Sequence, residues 1–199
     1  MTVTALAIFV IWMALTFGAR TALALRRTGD SGLRKVSASP LSTEWWAAVL
    51  MVGALLSALA APILDLAGLD PLVESNALSV TGLLIAVVGV TSTLAAQLAM
   101  GDSWRVGVDK AERTSLVTAG VFRFVRNPIF TAMVTTAFGL TLMVPNVVVL
   151  AGFLMLGVAL ELQVRCVEEP YLRRTHGADY QRYAGEVGRF IPGIGRLRS

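Results

Sequence analysis

The sequence has little of what many enzymes use for polar catalysis, since it contains one histidine and one cysteine in 199 residues. A single histidine leaves little from which to build a His-ligated metal site or a Ser-His-Asp triad. A single cysteine, Cys166, excludes a disulfide framework within the chain. We therefore predict that the protein has no metal site.

Two nucleotide-binding fingerprints are also missing. The sequence contains no GxxxxGK[ST] loop and no strand followed by GxGxxG, which excludes those phosphate-binding and dinucleotide-binding motifs. The net charge is +4. In so apolar a chain this charge indicates contact with anionic lipid headgroups, so that membrane lipids are predicted partners and nucleic acid is not.

Long stretches of the chain lack charge altogether. Residues 1–19, 45–64, 75–101 and 127–160 carry no charged side chain, and 55% of the whole chain is hydrophobic. The last run is 34 residues long and holds Pro145 and Asn146 near its middle, which indicates two helices joined by a turn. Runs of this length are typical of membrane-spanning helices.

The fold class that follows is an all-α integral membrane protein with five transmembrane helices. The predicted helices cover about residues 3–25, 45–64, 77–100, 128–144 and 147–165. The segments between them are too short to bury a core of their own, so residues 1–199 are interpreted as one membrane domain. Residues 166–192 are predicted to form a cytosolic helical cover that completes a pocket.

Basic residues predict the orientation of these helices. All 17 Lys and Arg fall on one side of the predicted membrane, whereas the loop at residues 65–76 carries only Asp65, Asp70 and Glu74. Loops rich in Lys and Arg stay in the cytoplasm. The chain is therefore predicted to lie in the plasma membrane (the inner membrane) with its N-terminus outside and its C-terminus in the cytosol.

Polar residues mark the start of the fourth predicted helix. Asn127 is suited to cap it, and Pro128 suits its first position, where a missing N–H costs nothing. The free N–H groups of such a helix end offer a site for a carboxylate or a phosphate. Arg123 and Arg126 beside it either extend to lipid headgroups or bind that anion.

Two further polar residues lie in or near apolar helices. Glu161 is near the predicted membrane boundary, where an ionisable group is expected to face the bundle interior or a polar cavity. Gln97, on the third helix, is expected either to face the same cavity or to form a hydrogen bond between helices. Both residues are therefore candidate site residues.

The segment after the fifth helix concentrates acids, arginines and aromatics. Glu168 and Glu169 lie close to Arg165, which itself follows Glu161 by one helical turn, so a salt-bridged helix end is one interpretation. Pro170 is expected to start a new helix. One apolar face of that helix is formed by Leu172, His176, Tyr180, Tyr183 and Val187.

Two segments together resemble the isoprenylcysteine carboxyl methyltransferase family, whose bacterial membrane relatives also resemble phospholipid N-methyltransferases. The first segment reads Gly120-Val-Phe-Arg-Phe-Val-Arg-Asn-Pro-Ile-Phe130. The second keeps in register the residues Glu168, Glu169, Leu172, Gly177, Tyr180, Tyr183, Val187, Arg189, Ile191 and Pro192. The resemblance covers roughly residues 100 to 192, and the chain departs from the family pattern at Asn127, Phe130 and His176.

This resemblance implies that the cofactor is S-adenosylmethionine. The cofactor's ammonium would bind Glu168 or Glu169, and its carboxylate would bind Arg126 or the start of the fourth helix. The other implied cofactor-binding residues are Gln97, Asn127, Pro128, Phe130, Tyr180 and Tyr183. The implied catalytic residues are Glu161, Arg165 and Arg189, with an arginine holding an anionic acceptor.

The predicted reaction is methyl transfer to a lipophilic or membrane-associated acceptor at the cytosolic face, with carboxyl O-methylation favoured. Three alternatives stay open: methylation of a phospholipid amine, methylation of a small thiol or amine, and a non-catalytic binding protein that keeps the fold. The acceptor is expected to enter through a lateral opening near Phe130 and Glu161, while residues 166–192 close over the cofactor.

Overall fold

The computed structural model describes residues 1–33, 38–104 and 115–197 of the chain. Within those ranges the regular elements are all helices, and isolated β-bridges join Val125 to Gly188 and Ile191 to Ile194. The helices are α1 Thr2–Met13, α2 Arg20–Thr28, α3 Thr43–Leu66, α4 Asn76–Ala99, α5 Pro128–Met143, α6 Val147–Leu162 and α7 Glu169–Glu186.

Two π-helical turns join helices end to end. Ala14–Ala19 connects α1 to α2, and Gln163–Glu168 connects α6 to α7. The expectation that Pro170 starts a separate helix is therefore wrong, because the helix from α6 continues through it. Pro170 is the second residue of α7, just after the π turn, where the hydrogen-bond pattern changes and its missing N–H disturbs the helix least.

Four helical stretches are long and apolar enough to cross a membrane: Thr2–Thr28, Thr43–Leu66, Asn76–Ala99 and Val147–Glu186. The protein is therefore a multi-pass membrane protein. The remaining apolar helix, α5, is shorter, with 16 residues.

Helices α4 and α5 pack through small residues. A Cβ added to Gly139 of α5 would lie 2.4 Å from the amide nitrogen of Ala86, and one added to Gly89 of α4 would lie 2.4 Å from that of Thr136. Such distances are impossible for a real side chain, so only glycine permits the two backbones to approach so closely. Small residues therefore determine how close α5 lies to α4.

Helix α6 packs mainly on α3. Asn146 caps α6, since its Oδ1 accepts hydrogen bonds from the amides of Val148 (3.1 Å) and Val149 (3.0 Å). Its Nδ2 donates to the carbonyl of Ala61 on α3 (3.0 Å). The buried Asn146 therefore both starts α6 and fastens the α5–α6 turn to α3.

Helix α5 packs mainly against α4, whereas α6 packs mainly against α3. An apolar cleft therefore lies between α5 and α6. It is lined by residues of α1, α3, α5 and α6. Its lining includes Phe9, Trp12, Ala58, Ala137, Gly152 and Leu156. We call this space the apolar cleft.

The two ends of the bundle differ in charge. We call one of them the basic end; there the Arg20 guanidinium donates to the carbonyl of Gly101, and α2 finishes with Arg26 and Arg27. At the opposite end the Thr2 hydroxyl donates to Asp65 (2.6 Å). Six basic residues used in the orientation argument lie outside the described residues: Arg34, Lys35, Arg105, Lys110, Arg113 and Arg198.

Candidate functional site

Within the described residues, Arg126 forms four side-chain hydrogen bonds at the basic end. It follows the short 3₁₀ turn Gly120–Arg123, and its side chain is 2% exposed. Its Nη1 donates to the carbonyls of Ala184 (3.0 Å) and Val187, and its Nη2 donates to Glu169 Oε1 (2.8 Å) and to the carbonyl of Gly195 (3.1 Å). Arg126 therefore joins the start of α5 to α7 and to the C-terminal segment.

Glu169 is bound by a second arginine as well. Arg189 donates from Nε to Oε1 (2.7 Å) and from Nη2 to Oε2 (3.1 Å), which is a bidentate, charge-assisted pair. The pKa of Arg189 is raised above its ordinary value, because its hydrogen bonds to the Glu169 carboxylate favour the charged guanidinium. We call Arg126, Glu169 and Arg189 the arginine–glutamate cluster, in which two cations surround one buried anion.

The segment after α7 lies along the start of α5. The amides of Arg126 and Asn127 donate to the carbonyls of Gly188 (2.8 Å) and Arg189 (3.1 Å), and the Thr131 hydroxyl donates to that of Phe190 (2.8 Å). Asn127 precedes α5, but the expectation that its side chain caps the helix is wrong. Its Nδ2 donates to the Arg189 carbonyl instead (3.1 Å), because the neighbouring chain offers an acceptor.

Glu168 has different surroundings from its neighbour Glu169. It accepts a hydrogen bond from Nε2 of Gln163 (3.3 Å), and within the part of the chain that the structure describes it forms no ion pair with Lys or Arg. Gln163 and Glu168 are five residues apart, a separation that a π turn brings onto one face of the helix. The two adjacent acids are therefore distinct: within the described residues Glu169 is paired with two arginines, and Glu168 is hydrogen-bonded to the neutral Gln163.

Tyr180 and Tyr183 lie in a small second core beside the arginine–glutamate cluster. Both rings are buried, their centroids are 6.4 Å apart, and the Tyr183 hydroxyl donates to the carbonyl of Phe122 (2.7 Å). Gly177 bends α7 ahead of them, with φ of 52° that favours glycine. The two tyrosines pack α7 against the segment before α5, and their contact with a cofactor stays a prediction.

Glu161 and Arg165 form an ion pair on the surface of the α6 helix. Their side chains are 44% and 59% exposed, so the expectation that Glu161 faces the bundle interior is wrong. Arg165, one turn later, pairs with the Glu161 carboxylate at the surface, so this charge needs no partner in the interior. The Glu161 charge also helps to raise the pKa of Arg189, which places the pair close to the arginine–glutamate cluster.

The remaining predicted site residues belong to the bundle. Gln97 is buried and donates from Nε2 to the carbonyl of Thr16 (3.1 Å), so it forms a hydrogen bond between helices, the second of the two alternatives given above. Pro128 is buried as the first residue of α5, and Phe130 packs against the main core. Gln97 therefore fastens α4 to the π turn of the first helix.

Sequence reasoning missed several partners in this region. Gln163 was overlooked because a π turn cannot be seen in the residue pattern, and its pairing with Glu168 depends on that turn. The backbone carbonyls that hold Arg126 were also missed, because any residue type can supply a carbonyl. Thr131 gave no signal either, because a threonine hydroxyl in a helix can donate to the carbonyl four residues earlier, here that of Asn127 (3.1 Å).

Comparisons with known proteins complete this picture. The family model described as phospholipid methyltransferase matches residues 78–179, just over half of the chain. A solved structure of the eukaryotic intramembrane Ras methyltransferase, isoprenylcysteine carboxyl methyltransferase, is similar with a TM-score of 0.63. The match covers 99% of this chain and 69% of that one at 20% sequence identity, a level that shows the fold alone. No curated protein matches the chain.

Proposed function

The chain belongs to the phospholipid methyltransferase family, and from this premise we propose that it transfers the methyl group of S-adenosylmethionine to a lipophilic acceptor. Both the family and the fold are those of membrane methyltransferases. The observation that carries the proposal is Glu168, an acid without an ion pair in the described structure, next to the arginine–glutamate cluster.

The residues present fit the charged groups of this cofactor. Glu168 is suited to accept the ammonium group, because its only hydrogen-bond partner in the described structure is the neutral Gln163. The cofactor's carboxylate is suited to the first turn of α5, which no side chain caps, with the helix dipole as a further attraction. Arg126 and Glu169, by contrast, are occupied by each other and by the C-terminal segment.

Arg189 is a better candidate than Arg126 for binding an anionic methyl acceptor. Two of its three nitrogens bind Glu169, whereas Nη1 donates no hydrogen bond within the described residues. Arg165, exposed nearby, would add a second positive charge. When bound, S-adenosylmethionine would supply a methyl group on a cationic sulfur, whose transfer to a carboxylate oxygen requires no proton removal. For a carboxylate acceptor, positioning by these arginines therefore matters more than a catalytic base. The arginines at this end thus favour carboxyl O-methylation.

The apolar cleft supports a lipophilic acceptor. Its walls are almost entirely hydrocarbon, and it lies between the same helices, α5 and α6, whose ends at the basic end lead into the arginine–glutamate cluster. We propose that the acceptor's apolar chain enters laterally between these helices, near Phe130 and Glu161, and occupies the cleft. Its polar end would then reach the basic end.

The proposal includes a topology. Helix α5 would be the fifth membrane crossing, since it runs from the basic end to a turn that is fastened to α3 by Asn146. The basic end would face the cytosol, with the N-terminus outside and the chain in the plasma membrane. S-adenosylmethionine would then reach the site from the cytosol, and residues 166–192 would cover it.

Phospholipid amines are the second candidate acceptors, because the matching family is described by its phospholipid substrates. An amine must lose a proton as it is methylated, and the acids beside the cluster, Glu168 and Glu161, would have to accept it. A carboxylate needs no such group. The two acceptors therefore differ in the chemistry that they require from the same site.

One experiment tests the proposal and separates the two acceptors. Purified protein in proteoliposomes is incubated with methyl-labelled S-adenosylmethionine and a bacterial lipid extract, and the labelled lipids are then treated with base. A methyl ester releases volatile labelled methanol, whereas an N-methyl or S-methyl product keeps its label. We expect base-labile label; base-stable label would favour the amine or thiol alternative, and no labelling at all with the cofactor bound would contradict methyl transfer to lipids.

A further inference from the structure

The C-terminal segment exposes aliphatic side chains at an unusual place. Residues 188–197 follow α7 and are called here the tail loop. Within it Ile191 is 55% exposed and Ile194 is 63% exposed, and Pro192 between them is exposed as well. These residues lie outside the membrane-spanning helices, so lipid tails around the bundle do not by themselves explain them.

Residues 191–194 of the tail loop, called here the tip, form a turn that backbone hydrogen bonds hold in place. The amide of Arg189 donates to the carbonyl of Ile194 (2.8 Å), and the amide of Ile194 donates to that of Ile191 (3.1 Å). Gly193 has φ of 76°, which closes the turn, and a Cβ on Gly188 would lie 2.1 Å from the Ile191 carbonyl oxygen. The aliphatic tip is therefore a defined structure and not a frayed end.

The position of the tail loop relative to α5 gives its depth. The Phe190 carbonyl accepts a hydrogen bond from Thr131, which is the fourth residue of α5 and lies about one turn inside it. The tail loop is thus level with the first turn of an apolar helix. Since Ile191 and Ile194 are exposed there, the bundle does not cover them.

Arginines flank the exposed tip. The Arg123 guanidinium lies 4.6 Å from the ring centre of Phe124, which is itself 54% exposed and precedes the bridge between Val125 and Gly188. On the other side, Nη2 of Arg196 lies 3.7 Å from where a Cβ on Gly193 would be, so it folds over the turn. Aliphatic and aromatic groups between arginines are complementary to an anionic lipid interface.

We propose that the tail loop is a membrane-interface anchor: Ile191, Ile194 and Phe124 insert among the headgroups of the leaflet at the basic end, while Arg123 and Arg196 contact anionic phospholipids. The anchor would brace the backbone that holds α5 and the arginine–glutamate cluster against the membrane surface. This inference does not depend on which acceptor is methylated, or on methylation itself.

The test places an environment-sensitive fluorophore on the tip. Full-length protein with Cys166→Ser and Ile194→Cys is labelled with a nitrobenzoxadiazole dye and reconstituted into vesicles of phosphatidylcholine and phosphatidylglycerol. We expect a blue-shifted emission, several-fold stronger quenching by lipids spin-labelled near the headgroup than at a matched site, and weak quenching by aqueous iodide. The matched site is Asp179→Cys in the same background, on the charged and exposed face of α7.

Two further variants test the insertion of the tip at a second position and its dependence on anionic lipid. Ile191→Cys repeats the measurement at a second exposed position, in case labelling at residue 194 disturbs the turn. Arg123→Gln with Arg196→Gln should remove most of the difference between vesicles with and without phosphatidylglycerol. Equal iodide quenching at the tip and at Asp179 would overturn the proposal, and so would a tip shielded from iodide but not quenched by lipid, since that indicates a protein contact.

Discussion

In the bundle, Gly139 of α5 lies so close to Ala86 of α4 that a Cβ would be 2.4 Å from its amide nitrogen, whereas at the basic end two arginines surround the carboxylate of Glu169. The contact between α4 and α5 depends on volume, because glycines let the two backbones approach closely. The arginine–glutamate cluster depends on charge, because Arg126 and Glu169 are buried, Arg189 is partly buried, and the single carboxylate neutralises both arginines. The comparison shows that two parts of this protein are held together by different interactions, close packing in the bundle and charge pairing at the basic end.

The largest effect is expected from removing the negative charge of the arginine–glutamate cluster. Glu169→Gln keeps the size of the side chain but leaves the buried Arg126 and the partly buried Arg189 without their anion. We expect a loss of about 3 to 5 kcal/mol in the free energy of unfolding, the range for breaking a buried ion pair. Thermal and denaturant unfolding in detergent would measure it.

The control for this variant is the exposed pair on α6. Glu161→Gln removes one partner of Glu161–Arg165, whose side chains are largely exposed. Exposed pairs contribute roughly 0 to 1 kcal/mol, so we expect almost no change in unfolding. If the two variants unfolded alike, the contrast between buried and exposed acids would be wrong.

A change of volume tests the other half of the comparison. Gly139→Val inserts carbon atoms where the α4 backbone already lies, and overpacking of this kind costs about 1 to 3 kcal/mol. Gly157→Val is the matched control on α6, since a Cβ there meets nothing within 4 Å. Unfolding temperatures of the two variants in the same detergent provide the measurement, and a control as unstable as Gly139→Val would contradict the close-contact explanation.

The two adjacent acids sharpen the comparison within the site itself. Glu168→Gln removes a charge that no arginine uses in the described structure, so the protein should stay as stable as before. Its affinity for S-adenosylmethionine should fall about tenfold or more, because a hydrogen bond to a charged group contributes roughly 1.5 to 3 kcal/mol. Isothermal titration calorimetry measures the affinity, and an unchanged dissociation constant in the folded variant would remove Glu168 from the cofactor site.

The smallest expected effect concerns the apolar cleft. Ala137→Phe fills part of it from α5 and should lower kcat/KM for the lipophilic acceptor several-fold, while the affinity for S-adenosylmethionine is kept. Val158→Phe, on an exposed part of α6, adds similar bulk toward lipid and should change neither quantity. An acceptor that is methylated equally well by both variants would place its apolar chain elsewhere.

Much of this architecture could be predicted before any coordinates. The charge-free runs predicted an all-helical membrane protein, and the spacing around Asn127 and Pro128 predicted where α5 begins. The family resemblance rested on residues of the basic end, several of which do meet there, such as Arg126, Glu169 and Arg189. What failed was the inference about local geometry: Pro170 continues a helix, and Glu161 is exposed.

The sequence by itself determined the membrane character, the helical class and the set of polar residues at the basic end, because transfer of apolar side chains from water depends on composition and on run length. Only the tertiary structure decided which polar groups pair. Glu168 and Glu169 are identical side chains one residue apart, yet one meets Gln163 across a π turn and the other meets two arginines, one from before α5 and one from after α7. Those partners are set by packing between distant segments, which a residue pattern does not contain.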